Sequence, residues 1–139
     1  ATLAEGLELT LEQGLPFGVQ ESFVATAQHT ENISDPYYHG LILPDQPVWR
    51  HVLKTRIPLP FHFSAEHMWD FRTSLYRDPG NLERIPPQHL HHALLRWNWK
   101  RHISVSASVE NITDTYYENA YDAYPYPGRQ FFVAVNGNL

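Results

Sequence analysis

The chain has 139 residues, with 15 acidic and 10 basic side chains and a net charge of −5 at pH 7. This acidic balance excludes the basic excess with which proteins hold a phosphate backbone, so we expect no nucleic-acid partner. The lack of cysteine excludes disulfide scaffolds and thiolate chemistry, and no apolar run approaches the roughly 18 residues that a spanning helix needs.

Seven segments of the sequence alternate between apolar and polar side chains, which is the period-two pattern of half-buried strands. In chain order they lie at 7–11, 19–27, 49–57, 61–71, 95–99, 103–109 and 131–139. In every segment the main apolar side chains fall on odd-numbered positions, beginning with Leu7, Leu9 and Leu11. The sequence therefore predicts an all-β, antiparallel chain with one apolar and one polar face.

The connections between these segments alternate in length. Short connections lie at 14–18, 58–60 and 100–102, and long ones at 29–46, 77–88 and 113–128. Short periplasmic turns and long outer loops are typical of outer-membrane barrels, whose tilted strands need about 9–11 residues to span. We therefore predict an up-and-down transmembrane β-barrel, here only its last seven or so strands, with odd-numbered side chains facing lipid and even-numbered ones facing the lumen.

The strand count has a consequence for the start of the chain. The last strand should run inward from the long-loop end, which places the start of the first segment at the outer side. Single-chain bacterial barrels have an even number of strands and both termini in the periplasm. We therefore expect further strands before Ala1.

The hairpin between the third and fourth segments predicts a register. With the turn centred near Leu59, paired residue numbers add up to about 118. Trp49 would then lie opposite Trp69, and His51 opposite His67, as cross-strand ring pairs on the apolar face.

Two constellations could carry chemistry. His89 and His91 share one face of a strand and could supply imidazole ligands to zinc, but no His/Asp/Glu spacing matches a known site, so we expect no metal or cofactor. Glu66 and Asp70 also share a face, as carboxylate pairs do in glycosidases. The neighbouring cations favour a charge-balanced polar ladder instead; they are Arg50, Lys54 and Arg72. With no catalytic motif in the sequence, we expect a protein that is not an enzyme.

The most specific signal lies near the C-terminal end. An Asn-x-x-Asp turn is followed by a tyrosine, a Pro-Gly-Arg sequence and an alternating strand. The motif residues are Asn111, Asp114, Tyr117, Pro127, Gly128 and Arg129. The cluster resembles the closing strands of TonB-dependent outer-membrane receptors. This resemblance implies that Asn111 and Asp114 shape the exit from a strand into a loop, and that Gly128 and Arg129 open the last strand.

The resemblance also implies a domain assignment and a function. Residues 1–139 would be the C-terminal part of the receptor barrel, without its plug domain and earlier strands. Such receptors have roughly 22 strands and import scarce nutrients such as ferric siderophores, haem or cobalamin. The implied location is the bacterial outer membrane. The implied partners are outer-membrane lipid, the remainder of the barrel and plug, the TonB complex acting through the plug, and a small-molecule or metal-chelate ligand.

Aromatic side chains in two predicted long loops are candidates for contact with that ligand. They are Tyr37, Tyr38 and His39 in one loop and Tyr116, Tyr121 and Tyr124 in the other. The tyrosines of the second loop could stack on a planar ligand or close over a pore, or they could pack against the rim of the barrel. The sequence leaves both alternatives open.

Two other architectures fit the alternation. One is a soluble β-sandwich that binds a ligand or carbohydrate and buries the odd-numbered side chains against a second sheet. The other is a small self-closed barrel with an eighth strand, acting in assembly or adhesion.

Overall fold

Strands dominate the part of the chain that the structure, a computed structural model, describes: residues 1–99, 103–116 and 127–137. The strands are β1 (Thr2–Gly14), β2 (Gln20–Asn32), β3 (Trp49–Pro58), β4 (Phe63–Arg72), β5 (Leu75–Tyr76), β6 (Arg84–Ile85), β7 (Gln88–Trp99), β8 (Ile103–Glu110) and β9 (Gln130–Gly137). A 3-10 turn, Pro16–Gly18, lies between β1 and β2. None of these residues forms a helix that is both long and apolar enough to cross a membrane.

The main sheet has seven antiparallel strands in the order β1-β2-β3-β4-β7-β8-β9. Each strand lies beside the one before it, and the short β5–β6 hairpin is inserted in the connection between β4 and β7. Within the described residues the sheet is not closed, because β1 and β9 form its two edges. The predicted fold class, an antiparallel up-and-down sheet, is confirmed.

Register keeps the two faces of this sheet separate. Every pairing joins odd-numbered residues to odd-numbered residues and even to even, with no step inside any strand pair. Leu11, Phe23, Leu53 and Trp69 form one such row across four strands. A one-residue slip would move an entire strand's apolar set to the other side, so the predicted parity is confirmed. We refer to the two sides as the odd face and the even face.

The odd face carries large apolar side chains that are exposed in this sheet. Leu7 is 73% exposed and Val133 is 76% exposed, whereas the buried apolar residues of the described chain are Leu75, Ile85 and Leu90. Leu75 and Ile85 belong to the β5–β6 hairpin, and Leu90 lies at an even position of β7, opposite Asp70, so none of the three is on the odd face of the main sheet. The described residues therefore provide no second layer over the odd face, which a β-sandwich would require.

The turn between β3 and β4 differs from the prediction. Four residues, 59–62, connect the strands, and the Leu59 backbone N–H donates to the Phe63 carbonyl at 2.9 Å. Phe61 and His62 adopt left-handed conformations, with φ of 59° and 65°. Because this turn is longer than predicted, the numbers of paired residues add up to four more than predicted. The predicted Trp49–Trp69 and His51–His67 pairs are therefore wrong.

The observed partners in this hairpin fit the wider turn. Leu53 lies opposite Trp69, and His51 lies opposite Phe71. Trp49 sits just beyond the ladder, where its backbone N–H donates to the Thr73 hydroxyl at 3.0 Å.

Strand β7 is longer than its alternation indicated. The pattern predicts a strand at 95–99, whereas β7 begins at Gln88 and has 12 residues. Histidines occupy two successive odd positions at the start of this strand, 89 and 91, so the apolar period is interrupted there.

The long connections lie at one end of the sheet, and two of them pack together. The Asn81 side chain accepts from the Ile42 backbone N–H at 3.0 Å and donates to the Ile42 carbonyl at 2.8 Å. The Asp45 backbone N–H donates to the Tyr76 carbonyl at 2.9 Å. The β2–β3 and β4–β7 connections therefore contact each other at this end of the sheet.

Candidate functional site

A ladder of alternating charges crosses the even face of β3 and β4. Asp70 accepts from Arg50 Nε at 3.1 Å and Arg50 Nη2 at 2.8 Å, and from Arg72 Nη2 at 3.2 Å. Four residues further along each strand, Lys54 Nζ lies 3.6 Å from Glu66 Oε1. Each carboxylate is thus engaged by a cation, as the expected polar ladder requires.

A groove follows this ladder toward the C-terminal strands. Its lining comes mainly from even-numbered side chains of β3, β4, β7 and β8, including Met68, His92 and Ser108. This composition suits contact with water or with a polar partner, and it contrasts with the apolar odd face.

The Asn-x-x-Asp turn fastens the base of the last long connection. Asn111 is 1% exposed, and its Nδ2 donates to the carbonyls of Thr115 at 2.9 Å and Pro127 at 3.1 Å. Its Oδ1 accepts from the Thr115 backbone N–H at 3.2 Å and from the Thr113 hydroxyl at 3.3 Å. One buried amide therefore ties the residues that leave β8 to those that approach β9.

Asp114 makes the second tie at the same place. Its Oδ1 accepts the Arg129 backbone N–H at 2.7 Å, and its own backbone N–H donates to the Asn111 carbonyl at 2.9 Å. A methyl group at Gly128 would lie 3.1 Å from Asp114 Oδ1, a tight approach that favours glycine. Five motif residues thus meet: Asn111, Asp114, Pro127, Gly128 and Arg129. Tyr117 lies outside the described residues.

The candidate aromatic side chains lie on two separate loops. All three candidate tyrosines that the structure describes are exposed: Tyr37 at 89%, Tyr116 at 68% and Tyr38 at 38%. The turn carrying Tyr37 and Tyr38 is held by Asp35, whose Oδ1 accepts the Tyr37 backbone N–H at 2.9 Å. His39 is exposed in the same turn. Tyr121 and Tyr124 lie outside the described residues.

Histidines on the odd face stack with aromatic rings. His51 lies between Phe23 and Phe71, with ring centroids 5.8 Å and 5.7 Å away. His67 Nε2 and His91 Nδ1 are 3.2 Å apart and hydrogen-bonded. Within the described residues, no group of three or more His, Cys, Asp or Glu side chains is placed to hold a metal ion.

One loop residue that the sequence did not single out organises the β5–β6 hairpin. Asp78 Oδ2 accepts the backbone N–H groups of Glu83 at 2.6 Å and Leu82 at 2.9 Å, and Oδ1 accepts that of Gly80 at 2.9 Å. These donors, the Glu83 N–H above all, hold the pKa of the Asp78 carboxyl below its usual range. The Asp-x-Gly spacing was the available signal, since aspartate commonly accepts from the backbone two residues on.

Comparison with known proteins shows which solved structures have a similar fold. No family model and no curated protein matches the chain. Among solved structures, it is similar to the ferric yersiniabactin uptake receptor FyuA from Yersinia pestis, with 19% identity and a TM-score of 0.74 over 97% of this chain. It is also similar to two receptors from Acinetobacter baumannii. The siderophore receptor PiuA has 19% identity and a TM-score of 0.80, and the ferric preacinetobactin receptor BauA has 14% and 0.84, each over 98% of this chain.

These solved structures are TonB-dependent siderophore receptors, and the predicted resemblance is confirmed: the chain has the fold of part of such a barrel. They are transport receptors rather than enzymes. The chain spans 22% of the length of each of the three receptors named above. At these sequence identities the structural similarity gives the fold of this chain and not its ligand.

Proposed function

We propose that residues 1–139 are the C-terminal part of the barrel of a TonB-dependent transporter in a bacterial outer membrane. The transporter imports a scarce nutrient such as a ferric siderophore, haem or cobalamin. The observation that carries this proposal is the unbroken parity of the sheet, with exposed apolar side chains on the odd face and a charged ladder on the even face.

The physics of the odd face favours lipid as its surroundings. Soluble monomers rarely expose contiguous apolar patches of more than a few hundred Å². Alternating strands with apolar side chains on one side and polar ones on the other are the pattern of a membrane barrel wall. Outer-membrane lipid is therefore the proposed partner of the odd face.

The edges and the even face define two further proposed partners. Unpaired backbone groups at a sheet edge in lipid cost several kcal/mol each, so the remainder of the barrel pairs with β1 and β9. The polar even face lines a lumen that the plug domain fills. The TonB complex acts through that plug.

The long-loop end is the proposed entrance for the ligand. The named solved structures are receptors for siderophores or ferric chelates, which supports a small-molecule or metal-chelate ligand here. The proposed ligand-facing side chains are Tyr37, Tyr38, His39, Tyr116, Tyr121 and Tyr124. The exposed rings of Tyr37 and Tyr116 are available for stacking.

The Asn-x-x-Asp motif has a proposed positioning role. Asn111, Asp114, Tyr117, Pro127, Gly128 and Arg129 fix where the last long loop leaves β8 and where β9 begins. The buried Asn111 amide and the Asp114–Arg129 bond support this role.

Uptake in cells tests the proposal. Iron-starved cells with and without the complete gene would be given a panel of radiolabelled ferric chelates, haem and cobalamin. We expect deletion to abolish uptake of one compound, an uncoupler to abolish it equally, and the protein to fractionate with the outer membrane. Unchanged uptake of every compound, with the protein recovered in the soluble fraction, would refute the proposal.

A further inference from the structure

One side-chain amide joins two of the outer connections. Asn81, between β5 and β6, accepts the Ile42 backbone N–H at Oδ1 over 3.0 Å, and its Nδ2 donates to the Ile42 carbonyl at 2.8 Å. One side chain therefore engages both polar groups of the Ile42 backbone. The amide pairs with Ile42 as a residue of a neighbouring antiparallel strand would.

The end of β2 holds Ile42 from its other side. Ile42 forms an antiparallel bridge with Glu31, and the Asn32 backbone N–H donates to the Leu41 carbonyl at 3.0 Å. The chain between these contacts carries three of the candidate ligand-facing side chains, Tyr37, Tyr38 and His39. This turn therefore extends β2 as a short two-stranded ribbon, and such a ribbon is marginally stable without a third strand or other packing.

The turn that presents the Asn81 amide is itself well fixed. Asn81 has a left-handed φ of 55°, and its backbone N–H donates to the Asp78 carbonyl at 3.1 Å. The Asp78 carboxylate accepts three further backbone N–H groups of the same turn. A second contact joins the two connections nearby, where the Asp45 backbone N–H donates to the Tyr76 carbonyl at 2.9 Å. The amide is thus held in place on its own side before it meets Ile42.

We infer that Asn81 is a positioning residue whose amide fixes the turn carrying Tyr37 and Tyr38 to the β5–β6 hairpin, so that the two connections move as one body. With the amide, the ribbon is supported along both edges, whereas without it only β2 holds the turn. The inference rests on the proposed function, which assigns these tyrosines to the ligand. Holding exposed rings in place before binding lowers the ordering cost of binding.

The distance between spin labels at positions 39 and 82 tests this tether in the complete gene product, reconstituted in bilayers. His39 and Leu82 are exposed and lie on the two connections. We expect a narrow distance distribution that becomes at least about twofold wider in Asn81→Gly, because glycine keeps the left-handed backbone and loses only the amide. Equal widths with and without the amide would overturn the inference.

A second asparagine provides the matched control. Asn111 also has a left-handed backbone, with φ of 50°, and its amide ties a different connection, between β8 and β9. Asn111→Gly should therefore leave the width of the distribution between positions 39 and 82 unchanged. Equal broadening by both substitutions would indicate a general loss of order and would contradict the specific role of Asn81.

A conservative variant tests the hydrogen bonds themselves. At neutral pH the carboxylate of Asn81→Asp accepts but cannot donate to the Ile42 carbonyl, so the distribution should be as wide as in Asn81→Gly. A protonated carboxyl regains the donor, and the width should return toward that of the unsubstituted protein as pH falls toward the ordinary aspartate pKa of about 3.9. The Asp78 turn persists there because its backbone donors, the Glu83 N–H first, lower the pKa of Asp78. The other charged groups on these connections and beside them include Glu31, Asp35, Asp45, Arg77 and Glu83. Since Asn81→Gly keeps all of them, narrowing in both variants, or in neither, would contradict the role of the amide.

Uptake kinetics test whether the tether serves ligand binding. For the ferric chelate, haem or cobalamin that iron-starved cells import, Asn81→Gly should raise the half-saturating concentration at least about threefold at an unchanged maximal rate, because the turn must then be ordered on binding. An unchanged half-saturating concentration would overturn the positioning role. The spin-label distances require no transport, so a protein that imports none of the compounds but shows the expected widths would refute the proposed function alone.

Discussion

Single side chains decide how the loop end of this sheet is built. Asn111 illustrates the point, because one buried amide makes four hydrogen bonds that join both sides of the β8–β9 connection. Its backbone adopts φ of 50°, a left-handed conformation that asparagine tolerates better than most residues. Side-chain hydrogen bonding and backbone conformation therefore both favour asparagine at this position.

Replacing Asn111 tests how much this side chain contributes to the stability of the protein. Asn111→Ala removes the buried amide that donates to the Thr115 and Pro127 carbonyls, and we expect a loss of about 1–3 kcal/mol in unfolding free energy. The measurement is urea unfolding of the complete protein in detergent. Asn136→Ala, at an exposed position of β9, should change stability by less than about 0.5 kcal/mol. Equal stability of the two variants would contradict the role given to Asn111.

Asp78 makes the β4–β7 connection sensitive to acid. Its folded-state pKa is lowered, chiefly by the Glu83 backbone N–H. A lowered folded pKa means that its stabilisation is present above the ordinary carboxyl pKa and is lost as pH falls through the lowered value. The ordered hairpin should therefore loosen only in strong acid.

A nitroxide label at Leu82, which is 87% exposed, reports this loosening. We expect label mobility to stay constant near neutral pH and to rise as pH falls below the usual carboxyl range. Asp78→Asn should be mobile throughout and should lack that transition. Since Glu83 also pairs with Arg77 at 3.5 Å, a transition that persists in Asp78→Asn would assign the effect to Glu83 instead.

At the scale of strands, alternation was sufficient to predict the faces but not every boundary. The parity of β1, β2, β3, β4, β8 and β9 could be predicted because the main apolar side chains of each strand fall on odd positions. The start of β7 could not, because His89 and His91 occupy that side. His89 packs against Trp69 and Phe71, and His91 stacks with His67, only after the sheet has formed. The start of β7 is therefore stabilised by ring contacts between strands, which the alternation along a single strand does not reveal.

Register and loop packing required information that the local pattern lacks. The β3–β4 turn could not be predicted because it depends on Phe61 and His62 entering left-handed conformations, which the sequence does not signal. The Asn81–Ile42 contact joins residues 39 apart in the chain, and the Arg50–Arg72 pairing follows only from the corrected register. The motif around Asn111 was recognisable because its partners are close in sequence or belong to the same motif.

A pair of substitutions in β8 tests the assignment of faces. Ala107→Arg places a charge on the odd face, and if this position lies near the bilayer centre the cost is about 2–4 kcal/mol. Ser106→Arg places the same charge on the even face and should be mild. The measurement is the unfolding free energy in lipid vesicles, with the assembled amount in the outer membrane as a second readout. Equal tolerance at the two positions would count against the assigned faces.

At the scale of the whole molecule, the described chain is one wall rather than a closed body. Its apolar side chains remain on the outside of a single sheet, its ion pairs lie on the other side, and its long connections gather at one end. In the proposed placement, lipid covers the odd face and further strands continue the hydrogen bonding at β1 and β9, which would satisfy the backbone groups at both edges. The import function proposed above depends on that placement.

Oxygen accessibility along β8 measures the placement most directly. The chain has no cysteine, so single cysteine substitutions at positions 103–109 would give unique spin labels within it, in the complete protein reconstituted in bilayers. We expect labels at the odd positions to collide mainly with lipid-soluble oxygen and those at the even positions mainly with a water-soluble nickel chelate, with a period of two. Equal accessibility on both sides, or the reverse pattern, would contradict the account.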